Sequence, residues 1–320
     1  PARSRCGRET TRERRGTPIA HRGGPVTVDG DADIEGLKMA GTVVASCLQY
    51  MQQVARPGMT TAELDGLGAA FLSRHGAVSA PVLTYGFPGH TCISVNEHVA
   101  HGVPNDTVIQ AGDLINIDVS AQLDGYVGDT GGSFVLDATP TRPQAAILQA
   151  ARRARDESVA EVRAGRLLRV VGQTVERIAR ETGFRIIRNL GSHGVGRSLH
   201  EEPSFIPGYD DPTDTRAFHE GMVVTVEPFL TDGRAIVREL ARRLDAREPP
   251  RLALRAVRAY DHRHGPRPGG HHPAGPGHGG RGRVIPAISG APPTPTGPAP
   301  PGRGPAPARR RVHAAATRTP

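Results

Sequence analysis

The chain breaks in two at Ala241. From there onward 28 of 80 residues are proline or glycine, 16 and 12 respectively, and little aliphatic content follows Val257. Such a segment buries too little apolar surface to offset the entropy of ordering its backbone. Residues 1–25 read the same way, with seven Arg against two acids. Whatever folds must be built from residues 26–240, enough for one large domain. The expected organisation is a disordered basic segment over 1–25, a folded domain over 26–240 and a disordered Arg/Pro/Gly tail over 241–320.

The same break decides what the charge means. The whole chain has 40 basic and 32 acidic residues, a formal +8. Residues 26–240, however, hold 18 basic against 27 acidic residues, a net −9. A basic fold built to grip nucleic acid is therefore not expected. No run of 18 apolar residues suggests a membrane span, and the Arg-rich start lacks the apolar centre of a secretory signal. Cys6, Cys47 and Cys92 are too few and too scattered for a disulfide framework or a thiolate zinc cage. A reducing, cytoplasmic compartment is the expectation.

Within the core, Leu37, Ala40, Val44, Cys47, Met51 and Val54 recur at three and four residues, predicting an amphipathic helix over Asp33–Ala55. Arg56-Pro57-Gly58 stops it. Thr60 with Glu63 three residues on opens a second helix that closes near Gly76. Cys92–Val95, Leu114–Val119 and Gly132–Leu136 then read as strands. Helices follow over Arg142–Val162 and Val171–Glu181, and Met222–Pro228 reads as a further strand ended by its proline. Helix pair, strands, helix pair, strands: the order predicts an α+β domain with helices against a curved antiparallel sheet.

Several polar residues do not belong in such a core. Asp118 lies in the apolar run Ile115–Val119, and a carboxylate there must be paired or bound to a cation. Asp129 follows the Leu123-Asp-Gly-Tyr126 turn, so a hairpin brings the two acids side by side. Without a cation they would repel, and one would be pushed to protonate. Glu227 ends the run Val223–Val226. His193 sits in the glycine-rich loop Gly191–Gly196, with His200 seven residues on and His101 in Val99–Pro104. Each alone has an ordinary structural explanation: a salt bridge, a turn, a satisfied histidine, a solvated strand end. Together, three carboxylates and an imidazole suit Mn²⁺, Fe²⁺, Co²⁺ or Zn²⁺.

The order and spacing of Ser94-Val-Asn-Glu…His101-Gly-Val-Pro, Asn116-Ile-Asp-Val…Gly128-Asp-Thr, Ser192-His-Gly-Val-Gly-Arg…His200-Glu-Glu-Pro and Thr225-Val-Glu-Pro resemble the type I methionine aminopeptidases. The resemblance covers about residues 28–240. It implies the pita-bread (creatinase/aminopeptidase-like) fold, a curved antiparallel sheet flanked by two pairs of helices. It implies two divalent ions (Co, Mn, Fe or Zn), with Asp118 chelating one, Asp129 bridging both, and His193 and Glu227 holding the second. A metal-bridging hydroxide would attack the scissile carbonyl, with Glu227 accepting its proton. His200 would bond the carbonyl oxygen or oxyanion, and His101 the scissile amide nitrogen. By family position, Tyr85, Phe87 and Cys92 would line the methionine pocket. The expected partner is the N-terminal Met of nascent polypeptides, with transient ribosome contact, no membrane, no specific nucleic acid, and a monomeric state. Two alternatives are an Xaa-Pro peptidase of the same fold and a non-catalytic pita-bread binding module.

The family has a fifth ligand, a bridging Glu in a late strand reading Gln-Tyr-Glu-His, and this string is not in the sequence. Read from the second base of each codon, Arg251–Asp261 permits Gly-Ser-Leu-Ser-Ala-Gln-Tyr-Glu-His-Thr-Ile, with the Glu straddling Arg258 and Ala259. The expectation is that the tail is translated in a shifted frame, that the domain lacks its C-terminal strand, and that the chain folds poorly or turns over little.

Overall fold

The computed structural model describes residues 27–238 together with two short strands, Ala256–Arg258 and Ile285–Pro286. The first half begins with helix α1 (Asp31–Val54), which buries Leu37, Ala40, Val44, Cys47, Leu48 and Met51 along one stripe. Pro57 cannot continue a helix, and Gly58 takes a positive φ of 93°. Helix α2 (Thr61–Arg74) starts on a complete capping box: Thr60 accepts from the Glu63 N–H, and the Glu63 carboxylate accepts from the Thr60 N–H. Strand β1 (Val78–Ser79), the short helix α3 (Ala80–Tyr85) and strand β2 (Cys92–Val95) follow.

Strands β3 (Leu114–Leu123) and β4 (Tyr126–Val135) form the long hairpin of this half. Asp124 and Gly125 have φ of 50° and 81°, the pair of left-handed residues that a two-residue type I′ turn requires. That turn closes Leu123 against Tyr126 and so fixes every pair below it, including Ser120 with Asp129 and Asp118 with Gly131. Directly paired residues share a face, as do residues two apart on one strand. Asp118 and Asp129 are therefore diagonal neighbours on one face. β1 and β2 pair with the other edge of β3, and α1 lies against β3 and β4.

The second half repeats the plan. Helices α4 (Arg142–Glu161) and α5 (Val170–Thr182) pack together, α4 opening on a Thr141/Gln144 capping box and α5 closing at left-handed Gly183. Arg153 and Arg177 each pair with both Glu157 and Glu181, lacing the exposed sides of these helices. Strand β5 (Arg185–Ile186) pairs with β9 (Phe229–Thr231), which also pairs with β10 (Ala256–Arg258). Strand β6 (Gly191–Gly194) lies between β7 (Glu201–Pro207) and β8 (Val223–Val224), and β11 (Ile285–Pro286) runs parallel to β8. One apolar core forms around α1, α2 and β3, and a second around α4 and α5 with Phe218, Met222 and Leu230. A smaller cluster of Leu37, Ala80, Val127, Val195, Leu199 and Val223 joins residues of both halves.

Three readings from sequence differ from this architecture. Gly191–Gly194 is a strand, not a loop. Its register slips between Ser192 and Gly194, and a Cβ on Gly194 would lie 2.6 Å from the Glu202 carbonyl oxygen, so glycine is there for close approach. The segment Met222–Pro228 is a ladder only at Val223–Val224. Beyond it the Thr225 N–H donates to the His193 carbonyl and the Glu227 N–H to Ser192 Oγ, and after Pro228 the chain pairs again as β9. Strands β10 and β11 fall inside residues 241–320, where no element was expected. The rest of that tail and residues 1–26 lie outside the described residues, and with them the expectation of disorder.

Candidate metal centre

Three buried side chains from different elements converge. Asp129 faces inward from β4, His193 from β6, and Glu227 from the segment between β8 and β9, at 6%, 7% and 4% exposure. One ligand atom from each lies within 4.8 Å of the other two. His193 Nε2 is 3.2 Å from Glu227 Oε1 and 3.5 Å from Asp129 Oδ2.

Each of the three is held by a second partner. Ser120 Oγ, directly across the hairpin, donates to Asp129 Oδ1 at 2.9 Å. His193 Nδ1 is 2.8 Å from the Gly194 carbonyl oxygen, to which it can only donate, so Nε2 is the nitrogen turned toward the carboxylates. Thr225 Oγ1 donates to Glu227 Oε1 at 2.6 Å and accepts from the His193 N–H at 3.0 Å. Ligands oriented in this way by outer hydrogen bonds are typical of metal sites.

The electrostatics define what the cluster needs. Burial acts to lower the His193 pKa, but hydrogen bonds to Asp129 and Glu227 outweigh it, and the imidazole is pushed up to about 10. Two buried carboxylates thus demand positive charge between them, and the proton on Nε2 meets that demand. A divalent cation meets it with twice the charge, and the imidazole nitrogen and carboxylate oxygens are the donors that Mn²⁺, Fe²⁺, Co²⁺ and Zn²⁺ accept. The residues therefore fit a divalent metal.

The other expected site residues surround this group. Asp118 is buried on β3, opposite Cys92 and on the Asp129 face, but outside the three-residue cluster. His200 lies against His193, ring centroids 4.1 Å apart and planes tilted by 40°. Burial first, then the charge of His193, holds the His200 imidazole below its ordinary pKa; the charge of His101 acts in the same direction. His101 is exposed with a left-handed φ of 54°, in a loop pinned to β2 where the Ile93 N–H donates to the Gly102 carbonyl. Phe87 is half-buried, whereas Tyr85 is 59% exposed with its hydroxyl 2.6 Å from His200 Nδ1. Sequence reasoning missed Ser120 and Thr225. Strand alternation was the available signal, since each lies two residues from a chosen carboxylate.

The comparison with known proteins decides the family. Residues 35–247 match the model described as metallopeptidase family M24. The chain belongs to metallopeptidase family M24. Methionine aminopeptidase 2 of Bacillus subtilis is 45% identical over 205 residues, 64% of this chain and 82% of that protein. The crystal structure of methionine aminopeptidase from Rickettsia prowazekii matches with a TM-score of 0.64 at 29% identity, covering 73% of this chain and 90% of that one. The prolidase from Pyrococcus horikoshii shares the fold, with a TM-score of 0.57 at 21% identity over 73% of this chain and 59% of its own. The M24 match reaches residue 247, past the composition break, and it spans all three residues of the buried cluster.

Proposed function

We propose that this M24 metallopeptidase removes the initiator methionine from nascent proteins. The buried Asp129–His193–Glu227 cluster carries the reading, and the methionine aminopeptidase relatives supply the substrate. Asp129, His193 and Glu227 would hold a divalent metal; Asp118, on the same face of the hairpin, would join a second ion at Asp129. When bound, the metal supplies Lewis acidity, which activates water and polarises the scissile carbonyl.

The chain's own residues do the rest. Glu227 is the proton acceptor, its Oε1 held by Thr225. His200, over the cluster, donates to the developing oxyanion. His101 faces the scissile amide nitrogen from the loop beside β2. Phe87 and Cys92 border the methionine side chain together with Tyr85. The two metals, their identity, a cytoplasmic location, transient ribosome contact and a monomeric state belong to the same reading. No helix among the described residues is long and apolar enough to cross a membrane. The 45% identity to a methionine aminopeptidase favours this substrate over the Xaa-Pro peptides of the prolidase.

The reading includes a one-base frame shift near codon 240. It is supported by strand β10: Ala256–Arg258 pairs with Thr231–Phe229 of β9, two residues from Glu227. In the shifted frame these same codons read Gln-Tyr-Glu. Sequencing the gene across codons 238–262 tests this; a gene that cannot read Gln-Tyr-Glu-His after a one-base change refutes it. For the activity, a Met-Ala-Ser peptide is incubated with Mn²⁺ or Co²⁺ and each form of the protein. The frame-corrected chain is expected to release methionine and the present chain to do so slowly. No release by the corrected chain would overturn the proposed function.

A further inference from the structure

Tyr85 has an exposure that its chemistry does not explain. It closes the short helix α3, followed by left-handed Gly86, and its ring is 59% exposed. An exposed aromatic normally leaves its hydroxyl to water. Here the hydroxyl is committed to His200 Nδ1 at 2.6 Å, across 115 residues of sequence. The two rings are tilted by 55° at a centroid distance of 5.8 Å, so the contact is made through the hydroxyl rather than by stacking. On its other side the His200 ring rests on His193. The imidazole is thus clamped between a rim residue and a metal-cluster residue.

A neutral imidazole has one N–H and one lone pair, and the partner of one nitrogen decides which carries the proton. A hydroxyl can donate to a bare Nδ1 or accept from an Nδ1–H; the phenol O–H is the more acidic donor of the two, and its donation to Nδ1 leaves the proton on Nε2. We propose that Tyr85 is a positioning residue, holding His200 in the Nε2–H tautomer so that this N–H is the donor offered to the substrate. The inference rests on the proposed function for the identity of the acceptor, but not for the hydrogen bond itself. Without the hydroxyl, His200 would divide between two tautomers, and only one of them donates from Nε2.

The test uses the full chain and Tyr85→Phe, which keeps the ring and removes one oxygen from an exposed position. With imidazole ¹⁵N labelling at about pH 8.5, where histidine is ordinarily neutral, the His200 nitrogens of the wild type are expected to show a single Nε2–H tautomer. In Tyr85→Phe the two nitrogen shifts should move toward each other as the tautomers mix. Steady-state cleavage of Met-Ala-Ser with Mn²⁺ should show kcat lower by about tenfold with KM unchanged, the signature of an interaction used in the transition state. Slow turnover suffices because the comparison is a ratio. An unchanged tautomer in the variant would overturn the proposal, as would mixed tautomers with unchanged kcat. If the wild type cleaves nothing, the kinetic comparison is made in the frame-corrected chain, whose failure to release methionine would overturn the proposed function, while the ¹⁵N shifts still decide whether Tyr85 sets the tautomer.

Discussion

A single hydroxyl, that of Thr225, holds two of the three side chains of the buried cluster. It accepts from the His193 backbone and donates to the Glu227 carboxylate. Thr225→Val keeps the shape but strands a buried N–H and frees the carboxylate, costing about 1–3 kcal/mol of stability. The same change should weaken Mn²⁺ binding by about 10–100-fold, read by calorimetric titration, with Thr225→Ser close to wild type. His193 adds a pH dependence. Its metal-free pKa of about 10 lies above the unfolded value, so its contribution to stability is present below about pH 6.5 and is lost as pH rises toward 10. Metal uptake must expel that proton, so affinity should rise about tenfold per pH unit between about 7 and 10. Titration at about pH 7.5 in buffers of different ionisation enthalpy should report about one proton released. Of the three clustered side chains, Glu227 stood out in the sequence at the end of an apolar run, whereas Asp129 and His193 were singled out by a hairpin turn and a glycine-rich segment. Thr225 and Ser120 were not, because hydroxyls are ordinary on strands and only the register shows which carboxylate they meet.

Elements here are governed by caps and close approaches. Thr60→Ala removes one member of the α2 capping box and should cost about 1 kcal/mol in a denaturant titration, with the fold retained. Gly172 on α5 is a sharper case. Alanine is the better helix former by about 1 kcal/mol, yet a Cβ at this position would lie 2.0 Å from the Tyr209 carbonyl oxygen and 2.9 Å from that of Pro207. Neither is the end of a flexible side chain, so overpacking should win, and Gly172→Ala is expected to destabilise by about 1–3 kcal/mol. Chemical denaturation checks the sign, and a stabilised variant would contradict the packing of α5 on β7. Long helices were readable from sequence to within two residues because periodicity and caps are local. The two-residue strands β1 and β5 were not, since their pairing depends on distant partners.

At the scale of the molecule, the centre sits where the two halves meet. Asp129 comes from the hairpin of the first half, and His193 and Glu227 from the second. Apolar packing also crosses this junction: Leu37, Ala80 and Val127 meet Val195, Leu199 and Val223, Val99 packs with Ile187 and Phe229, and Leu114 joins the core of the second half. A cation held by all three ligands would likewise fasten one half to the other, and its binding energy would appear as folding stability. The duplicated order of helix pair and strands was visible in the sequence; the meeting of the halves at these three residues was expected only through the family resemblance, because it depends on tertiary closure. Thermal unfolding of the full chain with and without Mn²⁺ tests this most directly. At about 100-fold excess over Kd the metal should add about 2.7 kcal/mol, raising Tm by about 5–10 °C, and Asp129→Asn or His193→Ala should abolish the shift. An unchanged Tm in the wild type, or an equal rise in both variants, would contradict a shared metal at this junction.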